Sequence, residues 1–167
     1  LSARELVGAA GALVVQCEVP AAAVRAAIEM AASAGVAVIL NAAPAHGIDR
    51  ALLAGVPYVI VNEHEAEYLT GVAVPGVASA ARAARALQAL GAGVAIVTLG
   101  ADGALFAVGN EATHVPAREV PVVDTTAAGD AFVGGFAVAL LRGLPLREAV
   151  RYATCAGTLA TTVFGAQ

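Results

Sequence analysis

The stretch "VDTTAAGDAFVGGF", from Val123 to Phe136, decides the fold and the chemistry of this 167-residue chain. The chain has four aspartates, and two of them, Asp124 and Asp130, stand here among small residues. The segment "TTAAGD" predicts a tight turn that leads into a helix, where unpaired N–H groups and the positive end of the dipole favour an anion. We expect Gly129 to let the backbone turn or approach a ligand closely, with the Asp130 carboxylate facing the same space.

A carboxylate beside an anion-binding turn suits phosphoryl transfer to an alcohol, because the turn can hold the phosphate while the acid takes the hydroxyl proton. The chain has no GxxxxGK[ST] motif and no lysine. Phosphate charge must then be met by main-chain dipoles, a metal ion and arginine. A simpler interpretation is that Asp130 only caps a helix and that Gly134 and Gly135, each costing a helix roughly 1 kcal/mol, pack against a strand.

The surrounding pattern predicts one layered α/β domain over residues 1–167. Short, valine-rich apolar runs alternate with alanine-rich helical segments, and runs that are apolar on both faces indicate a parallel sheet covered on both sides. These runs are Gly11–Val19, Val36–Asn41, Pro57–Asn62 and Val94–Gly100. A short helix is predicted within residues 47–55.

The last third of the chain departs from this alternation. Residues 101–123 turn often, which predicts an antiparallel extension with hairpin turns at Asp102-Gly103 and Gly109-Asn110, and therefore a mixed sheet. A helix should follow from Ala128 to about Arg142, and a final helix should end near Gly165.

Composition and charge exclude several classes of protein. The net charge is −4 and no basic cluster occurs, so we expect no nucleic-acid partner. No apolar run approaches the roughly 18 to 20 residues of a membrane helix, so no membrane association is expected. Cys17 and Cys155 lack metal-ligand spacing and are predicted to be buried, reduced thiols, which agrees with a cytoplasmic location.

The stretch "DTTAAGDAFVGGF" resembles the C-terminal signature of the ribokinase-like (PfkB) family of carbohydrate kinases. Other segments fall in the family's order: "QCEVP" (16–20), "NAAPA" (41–45), "NEHEAEYLTG" (62–71), "VTLGADG" (97–103) and the final "GAQ" (165–167). Three of them, "QCEVP", "NAAPA" and "GAQ", are more similar to ribokinases than to fructokinases or adenosine kinases. The resemblance implies a three-layer αβα fold with a largely parallel central sheet, of which this chain is the C-terminal portion.

The resemblance also implies roles for the opening stretch. Asp130 would be the general base that removes the proton from the sugar hydroxyl. The main-chain amides of Ala127, Ala128, Gly129 and Asp130 would form the anion hole for the moving phosphoryl group.

A nucleotide site follows from the same resemblance. Asn62 and Glu65 match the family's NxxE element, which helps to place magnesium and phosphate, although alone they would indicate only a capped helix start. Thr98, Gly100 and Gly103 match the segment that holds the nucleotide, although alone they would indicate an ordinary strand turn.

Two further implications concern the end of the chain. Thr154 occupies a position where ribokinases can carry a histidine close to the adenine, so it departs from the pattern. Five residues match the site where ribokinases bind an activating potassium ion, largely through main-chain carbonyls: Asp124, Thr126, Ala160, Val163 and Gly165.

The motif order begins near the middle of the family's pattern, so the resemblance implies that these residues do not include the family's N-terminal sugar-binding and lid portion. The resemblance implies ATP-dependent phosphorylation of a sugar primary hydroxyl, D-ribose to ribose 5-phosphate, with magnesium, potassium and a homodimeric full-length protein. Because lid closure excludes water, we expect weak or no sugar phosphorylation by these 167 residues alone.

Two alternatives remain open. The chain can be a non-catalytic nucleotide-binding fragment of a truncated or degenerate sugar kinase. A dinucleotide-binding Rossmann domain fits less well, because no GxGxxG follows the first strand.

Overall fold

The computed structural model describes residues 2–166, in which six strands form one sheet in the order β1-β2-β3-β4-β5-β6. The strands are β1 Ala12–Gln16, β2 Ala37–Asn41, β3 Tyr58–Asn62, β4 Val94–Thr98, β5 Ala104–Val108 and β6 Glu111–Val115. The first four are parallel, whereas β5 and β6 are antiparallel to their neighbours. The mixed sheet and its C-terminal hairpin are therefore confirmed.

Helices cover both faces of the sheet. They are α1 Ala3–Gly8, α2 Ala21–Ser33, α3 Glu63–Thr70, α4 Val77–Ala89, α5 Ala128–Leu141 and α6 Leu146–Ala160, with 3₁₀ turns at Arg50–Leu53 and Gly100–Asp102. The short helix predicted within residues 47–55 is thus a single 3₁₀ turn. Helix α1 was not predicted, although the Ser2 and Glu5 capping box that begins it is visible in the sequence.

The sheet separates two apolar cores because successive strand residues point to opposite faces. On β2, Val38 and Leu40 join the larger core under α2, α3 and α4. Ile39 points the other way, into a core that α5 and α6 complete around the fully buried Phe136. This arrangement confirms the three-layer αβα prediction.

Parallel pairing brings the ends of neighbouring strands together at one edge of the sheet. Asn62, the last residue of β3, pairs in register with Thr98, the last residue of β4. Helix α3 begins directly after Asn62, and the Gly100–Asp102 turn follows β4. Ligands usually bind at the carboxyl ends of parallel strands, so a ligand site is expected at this edge.

The final helix ends earlier than predicted, at Ala160 instead of near Gly165. The hydroxyl groups of Thr161 and Thr162 donate to the carbonyls of Thr158 and Leu159, and these bonds close the last turn. Of the motif "GAQ", Gln167 lies outside the described residues. No helix within residues 2–166 is long and apolar enough to cross a membrane.

Both cysteines are free thiols, as predicted, but they are half-buried instead of buried. Cys17 follows β1, which is an outer strand of the described sheet, so only one side of it is covered by neighbouring strands. Burial, followed by the charge of Glu65, raises the pKa of the Cys17 thiol.

Candidate active site

The turn before α5 is shaped by its own side chains. Oδ1 of Asp124 accepts hydrogen bonds from the Thr126 amide at 2.9 Å and from the Thr126 hydroxyl at 2.7 Å. Ala127 then adopts a left-handed conformation with φ of 59°, and α5 begins at the next residue. Gly129 does not make the turn, because it already lies inside the helix, and its close approach to a ligand stays a prediction. A strained non-glycine residue is typical of functional turns.

The first turn of α5 leaves main-chain donors free. The Ala128 amide donates to the Thr125 carbonyl at 3.2 Å and the Ala131 amide to the Ala127 carbonyl at 2.9 Å. The amides of Gly129 and Asp130 have no acceptor among residues 2–166. Because the positive end of the helix dipole coincides with these donors, the turn can hold an anion.

The Asp130 carboxylate lies in the first turn of α5 and is exposed to solvent. It is not turned into the core, and no described residue donates a hydrogen bond to it. Its main-chain neighbours Ala128 and Gly129 line a cavity. A group bound at the free amides would therefore lie close to an accessible carboxylate.

The cavity has a volume of about 410 Å³ and lies beside the start of α5, within the size range of small-molecule sites. It brings together six of the residues that the sequence singled out: Thr98, Gly100, Gly103, Ala128, Gly129 and Thr154. Asn62, Glu65, Asp124 and Asp130 do not line it.

The α6 wall of this cavity depends on a residue that sequence reasoning missed. A Cβ atom on Gly157 would lie 3.0 Å from the Ala128 carbonyl oxygen and 3.5 Å from Phe132 Cβ, so a larger residue here would require α5 and α6 to shift apart slightly. Thr154, one turn earlier, is buried, and its hydroxyl donates to the Val150 carbonyl at 2.9 Å. The spacing of the small residues on α6 is the sequence signal for this close approach.

A segment without regular structure forms another part of the cavity wall. Residues 116–127 connect β6 to α5, and five of the first seven, Ala117, Arg118, Glu119, Val120 and Val122, line the cavity. The sequence analysis had assigned them no role, because an irregular segment has no periodicity that reveals which way it faces.

Asn62 and Glu65 form a reciprocal cap at the start of α3. The Asn62 amide donates to Glu65 Oε2 at 2.8 Å, and the Glu65 amide donates to Asn62 Oδ1 at 2.9 Å. Burial raises the pKa of the Glu65 carboxyl group, and the hydrogen bond from Asn62 and the charge of His64 offset this only in part. The pair adjoins the cavity through Thr98, which is the strand neighbour of Asn62.

Three of the five residues predicted to bind potassium meet through hydrogen bonds. The second carboxylate oxygen of Asp124 accepts from the Gly165 amide at 2.9 Å, while the first accepts from Thr126. These bonds from Thr126 and Gly165 lower the pKa of the Asp124 carboxyl group. Ala160 ends α6 nearby, and Val163 is exposed in the following turn. Within residues 2–166 no cluster of His, Cys, Asp and Glu forms a separate metal site.

Sequence comparison identifies related proteins over the whole length. The family model described as "pfkB family carbohydrate kinase" matches residues 1–167. A ribokinase of Staphylococcus aureus is 35% identical over 168 aligned residues, which are 100% of this chain and 55% of that protein. A ribokinase of Haemophilus influenzae is 39% identical over 93% of this chain and 51% of its own length. The chain thus spans about half the length of the relatives it matches.

Solved structures give the same result. The ribokinase of Arabidopsis thaliana, described as complexed with ribose and ATP, has a TM-score of 0.89 and 31% identity over 98% of this chain and 53% of its own. The ribokinase of Thermotoga maritima has a TM-score of 0.86 and 36% identity, with 98% and 54% covered. Sequence motifs, sheet topology and these matches agree, and the chain belongs to the pfkB family of carbohydrate kinases.

Proposed function

We propose that this chain is the ATP-binding and catalytic part of a ribokinase-like sugar kinase that phosphorylates the primary hydroxyl of D-ribose. One observation carries the proposal: the free amides of Gly129 and Asp130 open beside a nucleotide-sized cavity, next to an exposed carboxylate. The related proteins named ribokinase support the choice of sugar.

Each group has a distinct task in the proposed reaction. The nucleotide occupies the cavity along Thr98, Gly100, Gly103 and Thr154, with its terminal phosphate towards α5. The amides at the start of α5, from Ala127 to Asp130, stabilise charge on the phosphoryl group as it moves, with those of Gly129 and Asp130 free of other partners.

Asp130 is the proposed general base. It accepts the proton of the sugar hydroxyl as that oxygen attacks the phosphorus. Its exposed position suits this task, because the sugar must reach the carboxylate from the side that the chain leaves open.

The residues present fit the proposed metal ions to different degrees. Magnesium enters such sites with the nucleotide and needs only one or two carboxylates. Glu65 would supply the carboxylate and Asn62 an amide oxygen as the proposed contacts. Potassium prefers neutral oxygens, and the carbonyls at the end of α6, near Ala160, carry the negative end of the helix dipole. Asp124, Thr126, Val163 and Gly165 complete the proposed potassium site.

A second candidate is a non-catalytic nucleotide-binding module. It requires only the cavity and the main-chain donors at the start of α5, and no catalytic base.

The decisive experiment separates binding from transfer. We expect magnesium-ATP to raise the melting temperature of the 167-residue chain, because a ligand of the folded state stabilises it by mass action. Gly129→Leu, which projects a side chain into the cavity, should abolish this shift, whereas Gly129→Ala, whose Cβ meets no atom within 4 Å, should retain it.

Ribose 5-phosphate formation is then measured with the chain alone and with the full-length polypeptide. We expect turnover only from the latter. Absence of ATP binding would refute the proposed function. ATP binding without phosphoryl transfer in the full-length protein would establish the non-catalytic alternative. Turnover of about 1 to 100 per second by the 167 residues alone would show that catalysis needs no additional part of the polypeptide.

A further inference from the structure

A nucleoside triphosphate in the cavity would carry negative charge that the protein must compensate. The start of α5 supplies only about half a positive charge, and the chain has no lysine to add a second. Apart from its three histidines, the side-chain cations of the chain are therefore its arginines.

Among the residues that line the cavity, Arg118 is the only cation. Its side chain is exposed, and its guanidinium makes no hydrogen bond or ion pair with residues 2–166. Other arginines are engaged elsewhere: Arg25 pairs with Asp49 at 3.2 Å, and Arg151 pairs with Glu148 at 2.6 Å. The one cation at the cavity is thus available to a ligand.

The segment that carries Arg118 is fixed at both ends. On one side, His114 Nε2 lies 2.6 Å from the Asp102 carbonyl oxygen and holds β6 against the turn after β4. On the other side, the Val123 amide donates to the Thr161 carbonyl at 2.8 Å. The chain itself therefore anchors both ends of the segment that bears Arg118.

The neighbouring residue carries the opposite charge. Glu119 is the only acid among the lining residues, and it forms no ion pair with Arg118. A negatively charged ligand would be attracted by one side chain and repelled by the next.

We propose that Arg118 is a positioning residue that donates charge-assisted hydrogen bonds to the phosphates of the bound nucleotide, and that Glu119 weakens the same binding. This inference rests on the proposed function, because it takes the ligand to be a nucleotide. Arginine suits the task, since its planar guanidinium matches phosphate oxygens two at a time.

The test compares adenosine, ADP and ATP, which differ only in the number of phosphate groups. Dissociation constants for ATP, ADP and adenosine are measured by calorimetry on the 167-residue chain, with Arg118→Gln, Arg118→Lys and Glu119→Gln. Arg85→Gln, on the exposed face of α4, is the control.

Arg118→Gln should raise the dissociation constant of ATP about tenfold, that of ADP less, and that of adenosine not at all. Arg118→Lys should recover only part of the loss, because lysine keeps the charge but not the paired guanidinium donors. Glu119→Gln should tighten ATP binding about twofold. The difference between the wild type and Arg118→Gln should shrink in high salt.

Four results would contradict the inference. An equal loss for adenosine would mean that Arg118 supports the base or the cavity wall. A loss in Glu119→Gln as large as that in Arg118→Gln would indicate a disturbed segment. Unchanged ATP affinity in Arg118→Gln would show that Arg118 does not contact the phosphates. A wild-type chain that binds no ATP would refute the proposed function, and this inference with it.

Discussion

A carboxylate oxygen of Asp124 accepts a hydrogen bond of 2.9 Å from the main-chain amide of Gly165, 41 positions further along the chain. The same side chain also holds Thr126 through its other oxygen. One aspartate thus joins the turn that leads into α5 to the segment that leaves α6. Both helices contribute residues to the cavity, so this contact links the two segments that border it.

Asp124→Asn should make stability less dependent on pH in the acid range. Hydrogen bonds from Thr126 and Gly165 lower the pKa of Asp124, so its contribution is present above the unfolded pKa of about 3.9 and lost as pH falls through the lower folded value. We expect the variant to melt at a lower temperature than the wild type at pH 7, and this difference to close as the pH falls below about 3.9. Melting temperatures from pH 7 to pH 2.5 measure this.

Asp102→Asn is the control for Asp124, because no described residue donates a hydrogen bond to the Asp102 carboxylate. If the difference in melting temperature between Asp124→Asn and the wild type stayed the same down to the lowest pH, the ionic role of Asp124 would be contradicted.

Gly134 and Gly135 are neighbours in α5 and should respond oppositely to alanine. A Cβ atom on Gly135 would lie 2.9 Å from Ala156 Cβ and 3.2 Å from Ala153 Cα, whereas one on Gly134 would meet nothing within 4 Å. Gly135→Ala should lower the free energy of unfolding by about 1 to 3 kcal/mol through overpacking. Gly134→Ala should raise it by about 0.5 to 1 kcal/mol, because glycine disfavours a helix.

Urea unfolding of both glycine variants makes the comparison. The packing partner is helix α6 and not a strand, so the simpler interpretation of these glycines is corrected. Equal effects of the two substitutions would contradict the close contact between α5 and α6.

Glu65→Gln should stabilise the protein at neutral pH. Burial raises the pKa of Glu65, so the folded state disfavours the charged form, and stability falls as pH rises from about 4.3 through the higher folded value. Glutamine removes the charge and can still accept the bond from the Asn62 amide. Thermal unfolding at pH 4 and pH 7 should show a difference only at pH 7.

The exposed Glu67→Gln serves as the matched control for Glu65, since it lies on the same helix. A Glu65→Gln variant that is less stable than the wild type at pH 7 would show that its carboxylate is needed as an ion.

Asp130→Asn tests the proposed base. In the full-length polypeptide we expect sugar phosphorylation to fall by at least about 100-fold, the usual contribution of a positioned base. ATP affinity should change little, because the amides that hold phosphate belong to the main chain. Steady-state rates and calorimetry on one preparation give both quantities, and activity within tenfold of the wild type would exclude Asp130 as the base.

The sequence predicted the chemical groups of the candidate site better than their positions in space. The motif at Thr125–Asp130 predicted free amides and a nearby acid, since these follow from the start of a helix. It did not predict which residue makes the turn, because a left-handed alanine is tolerated only when the surrounding chain imposes it, as it does at Ala127. Gly157 was not found because its importance lies in contacts with a distant segment, and Arg118 was not found because no local pattern places it at the cavity.

The sequence by itself determined the alternation of strands and helices, the parallel sheet with its antiparallel hairpin, and the family, because hydrophobic periodicity and short motifs are local properties. Tertiary structure alone decided where α6 ends, which glycine lets α6 pack on α5, and which side chains line the cavity. These depend on distances between residues far apart in the chain, such as Asp124 and Gly165, and no local pattern encodes such a distance.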